Sequence, residues 1–341
     1  MTLIKDHLFK ILNGMSIGVV IALMPDAVFG QIAKLLELNY ISPYLSLANS
    51  LMGVSIGACI AYNYKLDIIS GASLIASTFM AGGVLKGINE EGMFLIKGTG
   101  DIINMAIGAI IALIIITYIG PKLKAYKLIL LPAITVFVTS LICYYTAAPI
   151  GLISQAIGTS IQYFMQLQPY IMAVLIAVSF GIIIVSPISS VAIALLISIT
   201  GNASGIATLG IATMAITLAT LSYKQNGLGT SIAIILGSPK LLMANFIKNP
   251  KMIIPGALAS AITSTLGVYL NIQGTSLSAG FGTCGLIGPI THLSIVGYNL
   301  NNIVTTIMAF AVAPFIVALI LNYLFKYKLK LVTNLDYKVN L

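Results

Sequence analysis

The stretch Leu128-Ile-Leu-Leu-Pro-Ala-Ile-Thr-Val-Phe-Val-Thr-Ser-Leu-Ile-Cys-Tyr-Tyr145 opens a run of 96 residues, between Lys127 and Lys224, without any Lys, Arg, Asp or Glu. A second uncharged run, of 74 residues, lies between Lys251 and Lys326. A soluble domain needs charged residues at its surface, whereas a charge at the centre of a bilayer costs roughly 2.5–3.5 kcal/mol. The two runs therefore predict a chain that crosses a membrane several times.

The composition indicates how many helices the chain contains and on which side of the membrane its charged residues lie. Hydrophobic residues make up 59% of the 341 residues, and a membrane-spanning helix needs about 20 of them. We predict an all-α polytopic membrane protein of about ten helices, with two glycine-rich re-entrant hairpins and an amphipathic interface helix. The net charge of +9 comes from lysine clusters between apolar runs, so positive-inside topology explains it better than nucleic-acid binding. This topology places the clusters around Lys122–Lys127 and Lys240–Lys251, and both termini, in the cytoplasm.

Three apolar segments are interrupted by glycine, serine or proline and are the candidate site. They are the hairpins at 226–240 and 276–292 and the Ser186-Pro187-Ile188-Ser189-Ser190 break. At membrane depth, backbone leaves helical geometry only where protein or a water-filled cavity satisfies its polar groups, and such breaks are typical of transporter binding sites. A neutral polar lining suits an uncharged sugar or polyol. The alternative is that small residues simply permit tight helix packing.

The candidate substrate-binding residues are polar and lie in these segments or in the Asn13-Gly14 pair, which echoes Asn226-Gly227. They are Asn13, Ser186, Ser189, Ser190, Asn226, Thr230, Thr283 and His292. His292 either binds a substrate hydroxyl or titrates, or is a hydrogen-bonded histidine at the end of a segment.

Gating or coupling is assigned to Asp26, Lys97 and Asp101. Asp26 is either a loop carboxylate or a cavity carboxylate, and Lys97 either pairs with Asp101 or lies with it in a solvated connector, residues 86–101. After Asp101 no carboxylate occurs until Asp336. No catalytic residue, metal site or cofactor is predicted, because P-loop, dinucleotide and metal-ligand patterns are missing.

A single domain, residues 1–341, is expected to have three parts. Residues 1–148 form mostly scaffold-like spans, residues 149–168 an amphipathic helix bounded by Pro149 and Pro169, and residues 169–330 a transport-like half with the hairpins. The helix has an apolar face and a polar face. The apolar face contains Ile150, Ile153, Ile157, Ile161 and Phe164, and the polar face Gln155, Thr159, Gln162 and Gln166. A loop is predicted at 201–205.

Several stretches resemble the enzyme IIC membrane subunits of the bacterial phosphoenolpyruvate sugar phosphotransferase system, in particular the stand-alone branch labelled perfringolysin-regulator-like. They are Asn13-Gly-Met-Ser-Ile-Gly, Lys97-Gly-Thr-Gly-Asp-Ile-Ile-Asn104, Ser186-Pro-Ile-Ser-Ser190, Asn226-Gly-Leu-Gly-Thr230, Leu236-Gly-Ser-Pro-Lys240 and Ser278-Ala-Gly-Phe-Gly-Thr-Cys-Gly-Leu-Ile-Gly-Pro289. The resemblance covers essentially the whole chain. It implies a homodimer in the bacterial plasma membrane, with a scaffold half at the dimer contact and two hairpins that hold one sugar. It also implies that phosphate passes to the sugar from a cytoplasmic partner subunit.

The chain departs from this family in two respects. Its 341 residues contain no IIA or IIB domain, so phosphorylation needs separate subunits. The transport-like half also lacks Glu, and without a general base proton removal loses roughly 10²–10⁴ in rate. The leading hypothesis is a IIC-like permease for a small neutral sugar or polyol; if it is an enzyme, it is the membrane subunit of a sugar phosphotransferase. The alternatives are a non-transporting membrane regulator of gene expression and an ion-coupled carrier that uses Asp26 or Asp101.

Overall fold

The computed structural model describes residues 2–30, 32–33, 36–38, 40–96 and 98–339. Apart from one short β-hairpin, the regular structure of these residues is helical, which confirms the predicted all-α membrane fold. Five helical segments are long and apolar enough to cross a membrane, and a bent helix pair makes a sixth. Four shorter apolar helices accompany them. The described chain divides into two compact units, the first containing residues up to Asp26 and Ala33–Leu152, the second Ala27–Ile32 and the chain from Ile153 onward.

The first unit consists of helices α1 to α5 and the beginning of α6. Their bounds are α1 Thr2–Pro25, α2 Ser42–Ser50, α3 Met52–Asn63, α4 Ile68–Ala81, α5 Ile102–Tyr118 and α6 Lys127–Phe164. A π-helical turn, Asp26–Gly30, follows α1, and helices α2 and α3 are bent by 54° at Leu51. Helix α1 ends at Pro25, and the 3₁₀ segment Gly120–Tyr126 precedes α6.

Glycines bring α1, α3 and α4 into backbone contact. A Cβ atom on Gly18 would lie 2.5 Å from the Cα of Ile56, and one on Gly53 would lie 2.7 Å from the Cα of Phe79. A real Cβ atom does not fit at such distances. The spacing of small residues every four positions therefore sets the separation of these helices.

The connector at 86–101, predicted as a solvated loop, contains a two-stranded antiparallel hairpin. Strand β1 is Leu85–Ile88 and strand β2 is Phe94–Ile96. The Asn89 side chain forms the turn, since its Oδ1 atom accepts hydrogen bonds from the backbone N–H groups of Glu91 and Met93. The polar residues that suggest a loop form the turn of this hairpin, and the apolar residues flanking them form its strands.

The predicted amphipathic helix does not begin at Pro149, because α6 is continuous from Lys127 to Phe164 with Pro132 and Pro149 inside it. An internal proline removes one backbone hydrogen bond, a loss that membrane helices tolerate where neighbours satisfy the freed group. Ile150 and Ile161 are buried as expected. On the predicted apolar face Ile153 is exposed.

The second unit is built around α9, which is almost entirely buried over residues 203–222. Its helices are α7 Pro169–Val185, α8 Ser190–Leu196, α9 Gly201–Ile232, α10 Met243–Lys248, α11 Ile254–Tyr269, α12 Ile287–Val296, α13 Leu300–Ile307 and α14 Ala313–Asn322. The loop predicted at 201–205 is instead the first turn of α9. Gly205 lies directly against the backbone of Ile272, and the Ser204 hydroxyl donates to the Thr275 carbonyl, so these small residues serve close packing within a helix.

Candidate functional site

The three interrupted segments meet in the second unit, at a region that we call the junction: Ser186–Ser190, Ala233–Lys240 and Ser278–Leu286. The Ser190 hydroxyl donates to the Gly280 carbonyl at 2.7 Å. The Thr283 hydroxyl donates to the Ile235 carbonyl at 2.9 Å. The Lys240 ammonium donates to the carbonyls of Ser186 and Ile188. Each segment is thus bonded to another one through a side chain.

The first segment separates α7 from α8 because Pro187 has no N–H group to continue the helix. The Ser186 hydroxyl donates to the Ile183 carbonyl and accepts from the Ile188 N–H. The half-buried Ser189 caps α8 by accepting from the Ala192 N–H at 3.2 Å. Ser186 and Ser189 therefore shape the break itself, and Ser190 connects it to the third segment.

The third segment requires glycine at two kinds of position. Gly282 and Gly285 adopt left-handed φ angles of 63° and 57°, which a residue without Cβ adopts at no steric cost. At Gly280 a Cβ atom would lie 2.4 Å from the Cα of Val191. The glycine-rich sequence thus permits both the turn and the contact with the start of α8.

Lys240 is the functional candidate that the sequence analysis missed, since charge patterning assigned it to a cytoplasmic lysine cluster. Only 4% of the residue is exposed. Its Nζ atom lies at the carboxyl end of α7, where the helix dipole favours a cation, and donates to the Ile188 carbonyl at 2.8 Å. Burial lowers the pKa of Lys240 to about 7. The one ion pair found among the described residues joins Lys127 to Asp67, so backbone carbonyls rather than a carboxylate hold Lys240.

Asn226 and Thr230 lie outside the junction contacts. Helix α9 kinks at Gly227, where φ is 73°, which confirms the predicted break. The Asn226 side chain binds the C-terminal segment: its Nδ2 atom donates to the Tyr337 carbonyl and its Oδ1 atom accepts from the Val339 N–H. Thr230 is half-buried in the helical turn that follows the kink.

His292 is buried, with 2% of the residue exposed, and binds a loop. Its Nδ1 atom accepts from the Gln273 N–H at 3.0 Å, so in the neutral ring the proton resides on Nε2. Gln273 precedes Gly274, which pairs with Gly201 at the start of α9. The observed contact therefore matches the hydrogen-bonded alternative named for His292.

The remaining predicted residues belong to the first unit, except that Lys97 lies outside the described residues. Asn13 is half-buried in α1. Asp26 accepts from the Asn49 side chain at 2.8 Å. Asp101 caps α5 by accepting from the Asn104 N–H at 2.9 Å. Both carboxylates thus hold local structure.

Asn104, within the Lys97–Asn104 stretch, is a further buried residue with a complete set of partners. Its Nδ2 atom donates to the carbonyls of Ala81 and Cys143, both at 2.9 Å. Its Oδ1 atom accepts from the Thr146 hydroxyl at 2.6 Å. The side chain therefore connects α4, α5 and α6.

A cavity of about 480 Å³ lies beside the junction, with Ile235, Thr283 and Leu286 in its wall. The rest of its lining is Ile216, Pro289, Thr306, Ile307, Phe310, Ala311, Val312 and Phe315. Both threonine hydroxyls donate to backbone carbonyls, those of Ile235 and Asn302. The wall is therefore chiefly hydrocarbon. Among the described residues, no group of three or more His, Cys, Asp or Glu side chains is placed to hold a metal ion.

Comparisons with known proteins identify the family. A search of curated proteins and a search of solved structures found no match. The profile of the family described as phosphotransferase system, EIIC, matches residues 9–339. Membership implies a sugar substrate, cytoplasmic IIA and IIB partners and a multi-pass membrane location. The chain therefore belongs to the EIIC membrane subunits of the phosphotransferase system, which are its sugar-specific permeases.

Proposed function

We propose that this EIIC subunit binds and translocates a small neutral sugar or polyol at the junction. The observation that carries the proposal is the meeting of three broken segments through Ser190, Thr283 and Lys240. The polar groups at this point are hydroxyls, carbonyls and one ammonium. Such groups match the hydroxyls of an uncharged sugar, each of which donates one hydrogen bond and accepts others.

The junction contacts can be exchanged for contacts to a sugar. A sugar hydroxyl can donate to the Gly280 or Ile235 carbonyl in place of the protein hydroxyl bound there now. In its protonated form Lys240 has three N–H donors, of which two are bonded to carbonyls. The third is suited to a sugar oxygen. In this proposal Ser190, Thr283 and Lys240 contact the substrate, while Ser186 and Ser189 keep the break in shape.

The proposal includes the organisation expected from the sequence. Residues 1–148 act as the scaffold and form the contact of a homodimer, and residues 169–330 act as the transport half. Both termini face the cytoplasm of a bacterial cell, where a separate IIB-type subunit phosphorylates the sugar. The +9 net charge and the lysine clusters between apolar runs support this orientation.

A second candidate function is a membrane regulator that keeps the fold and binds a ligand without transport. The observation that favours it is the absence of any Asp or Glu between Asp101 and Asp336, which leaves the junction without a carboxylate general base. His292 already accepts a hydrogen bond through Nδ1. The ion-coupled alternative would need Asp26 or Asp101, which bind Asn49 and the Asn104 N–H.

Thermal unfolding of the purified protein with a panel of sugars and polyols tests the proposal. A ligand at 100 times its dissociation constant adds about 2.7 kcal/mol to the stability of the folded state. Thr283→Val should abolish the shift, whereas Ser160→Ala should retain it, because the Ser160 hydroxyl is exposed and bonds within its own helix.

Uptake into vesicles then separates the two candidate functions. Binding with uptake, faster in the presence of the cytoplasmic subunits and a phosphoryl donor, supports the permease. Binding without uptake supports the regulator. A shift that survives Thr283→Val would contradict the placement of the site at the junction.

A further inference from the structure

The segment Val332–Val339, which we call the C-terminal strap, is closely bound to the second unit. A capping box between Thr333 and Asp336 shapes its turn, Asn334–Tyr337. Tyr337 is fully buried, and its hydroxyl donates to the Met252 carbonyl at 2.8 Å. A buried aromatic side chain whose hydroxyl is hydrogen-bonded holds its segment of the chain in place.

The strap binds the start of the hairpin at 226–240 and helix α10, which follows the hairpin. At the amino-terminal end, Asn226 makes two hydrogen bonds to the strap backbone, one to the Tyr337 carbonyl and one from the Val339 N–H. At the other end, Asn245 donates to the carbonyls of Asp336 and Lys338 at 3.0 and 2.9 Å. Asn249 donates to the Asp336 carboxylate at 2.8 Å. The strap therefore connects the start of the hairpin to the residues that follow it.

The hairpin has a hinge where the strap holds it. Gly227 follows Asn226 directly, adopts φ 73° and ψ −176°, and has open space at the position where a Cβ would be. Its carbonyl accepts a hydrogen bond from the Ser231 hydroxyl at 2.9 Å, four residues further along the hairpin, and the adjacent Asn226 connects this turn to the strap. Beyond the hinge, the same hairpin carries Ile235 and Lys240 into the junction.

We propose that the C-terminal strap is a clamp on this hairpin, and that its release lets the hairpin turn about Gly227 and withdraw Ile235 and Lys240 from the junction. The contacts that hold the strap run from asparagine side chains to its backbone and to one carboxylate. Asparagine amides can hydrogen-bond to backbone groups whatever side chains the strap carries. The pocket that holds Tyr337 fixes the register of the strap. The role in transport rests on the proposed function; the mechanical coupling does not.

Hydrogen–deuterium exchange of the purified chain tests the coupling without any sugar. The double variant Asn245→Ala/Asn249→Ala removes three hydrogen bonds to the strap and leaves Asn226 intact. We expect amide exchange to rise about tenfold or more in residues 228–242 as well as in the strap, with α7 and α11 unchanged. Asn302→Ala is the matched control, because that side chain also donates twice to backbone, to Val296 and Gly297, away from the strap.

Two outcomes would overturn the clamp. Faster exchange confined to 332–339 would show that the strap is held by the hairpin without restraining it. Equal acceleration throughout the second unit would show general destabilisation. Should the double variant fail to fold, Tyr337→Phe removes one hydroxyl bond and keeps the ring, and the same two patterns decide.

A cross-link tests the role in transport separately. In a chain whose native cysteines are replaced, Asn226→Cys with Val339→Cys joins the strap to the hinge. The clamp predicts that uptake stops on oxidation and returns on reduction. Uptake that continues when the cross-link is complete would overturn the role in transport, and absence of uptake in the parent chain, which keeps Asn226, would instead count against the permease.

Discussion

Replacement of Lys240 by methionine isolates the contribution of one buried side chain to the junction. Methionine has a similar length and no donor, so Lys240→Met leaves the carbonyls of Ser186 and Ile188 without the partner that they have now. A buried acceptor without a partner costs about 1–3 kcal/mol, which gives about 2–6 kcal/mol for the two. Relief of the buried ammonium acts in the opposite direction.

The pH determines how much of the loss of the two hydrogen bonds is offset by removal of the buried ammonium. Burial lowers the pKa of Lys240 to about 7. At about pH 10.5 an unfolded lysine is also largely neutral, so folding no longer has to remove a proton from it, and the loss of two hydrogen bonds dominates. We expect a destabilisation of about 2–4 kcal/mol at pH 10.5. An unfolded lysine has a pKa of about 10.4, above the folded value. Its contribution to stability is therefore complete above about pH 10 and declines as the pH falls through 7, so the variant should differ less from the parent at pH 6.

Chemical unfolding in detergent, followed by circular dichroism at pH 6 and pH 10.5, measures both quantities. Lys251→Met is the control, because Lys251 is exposed and surface substitutions usually change stability by less than about 0.5 kcal/mol. Equal stability of Lys240→Met and the parent at pH 10.5 would refute the structural role of Lys240. A difference that grows as the pH falls to 6 would refute the electrostatic part of the reasoning.

Three further substitutions test other parts of the structure. Gly280→Ala places a methyl group 2.4 Å from the Cα of Val191 and should cost about 1–3 kcal/mol, measured by thermal unfolding; Gly151→Ala, with open space around it, should be neutral. Asn104→Ala removes the hydrogen bonds that this side chain makes with the Ala81 carbonyl, the Cys143 carbonyl and the Thr146 hydroxyl. It should cost about 2–5 kcal/mol in the same assay, whereas a change under about 0.5 kcal/mol would mean that these bonds are dispensable. The pKa of Asp67 is lowered by its lysine partner, so its stabilisation is complete above pH 4 and is lost as the pH falls towards the lowered pKa; Asp67→Asn should lose about 0.5–2 kcal/mol at pH 7 and little near pH 2.

The positions of helices and breaks follow from local chemistry, which explains why the sequence predicts them. A charge-free run identifies a membrane segment, and Pro187 and Gly227 interrupt helices by their own geometry. The prediction of a loop at 201–205 was wrong because it used only the local sequence. Small residues favour a loop in isolation, yet Gly205 occupies a helix because Ile272 lies against it, a contact 67 residues away that no local pattern contains.

The roles of individual side chains were harder to predict from the sequence. Asn226 was proposed as a substrate-binding residue because it is polar and lies in an interrupted apolar segment. Its hydrogen-bond partners lie more than 110 residues further along the chain, in the strap. Lys240 was assigned to a cytoplasmic cluster because charge patterning treats every lysine as solvated. Its burial depends on the carbonyls of Ser186 and Ile188 at the break between α7 and α8, so it follows only from the tertiary structure.

The glycine contacts of α1, α3 and α4 have a mechanical consequence. Where backbone lies against backbone, attraction comes from many weak contacts between atoms near their optimal separation, and each loses much of its strength over a fraction of an ångström. Lipid adds no hydrophobic drive to bring such helices back together. Sliding one of them would lift every contact at once, so the three helices behave as one stiff body. This stiffness depends on the absence of a side chain at the contacts. A single methyl group added at Gly18 or Gly53 would force the helices apart.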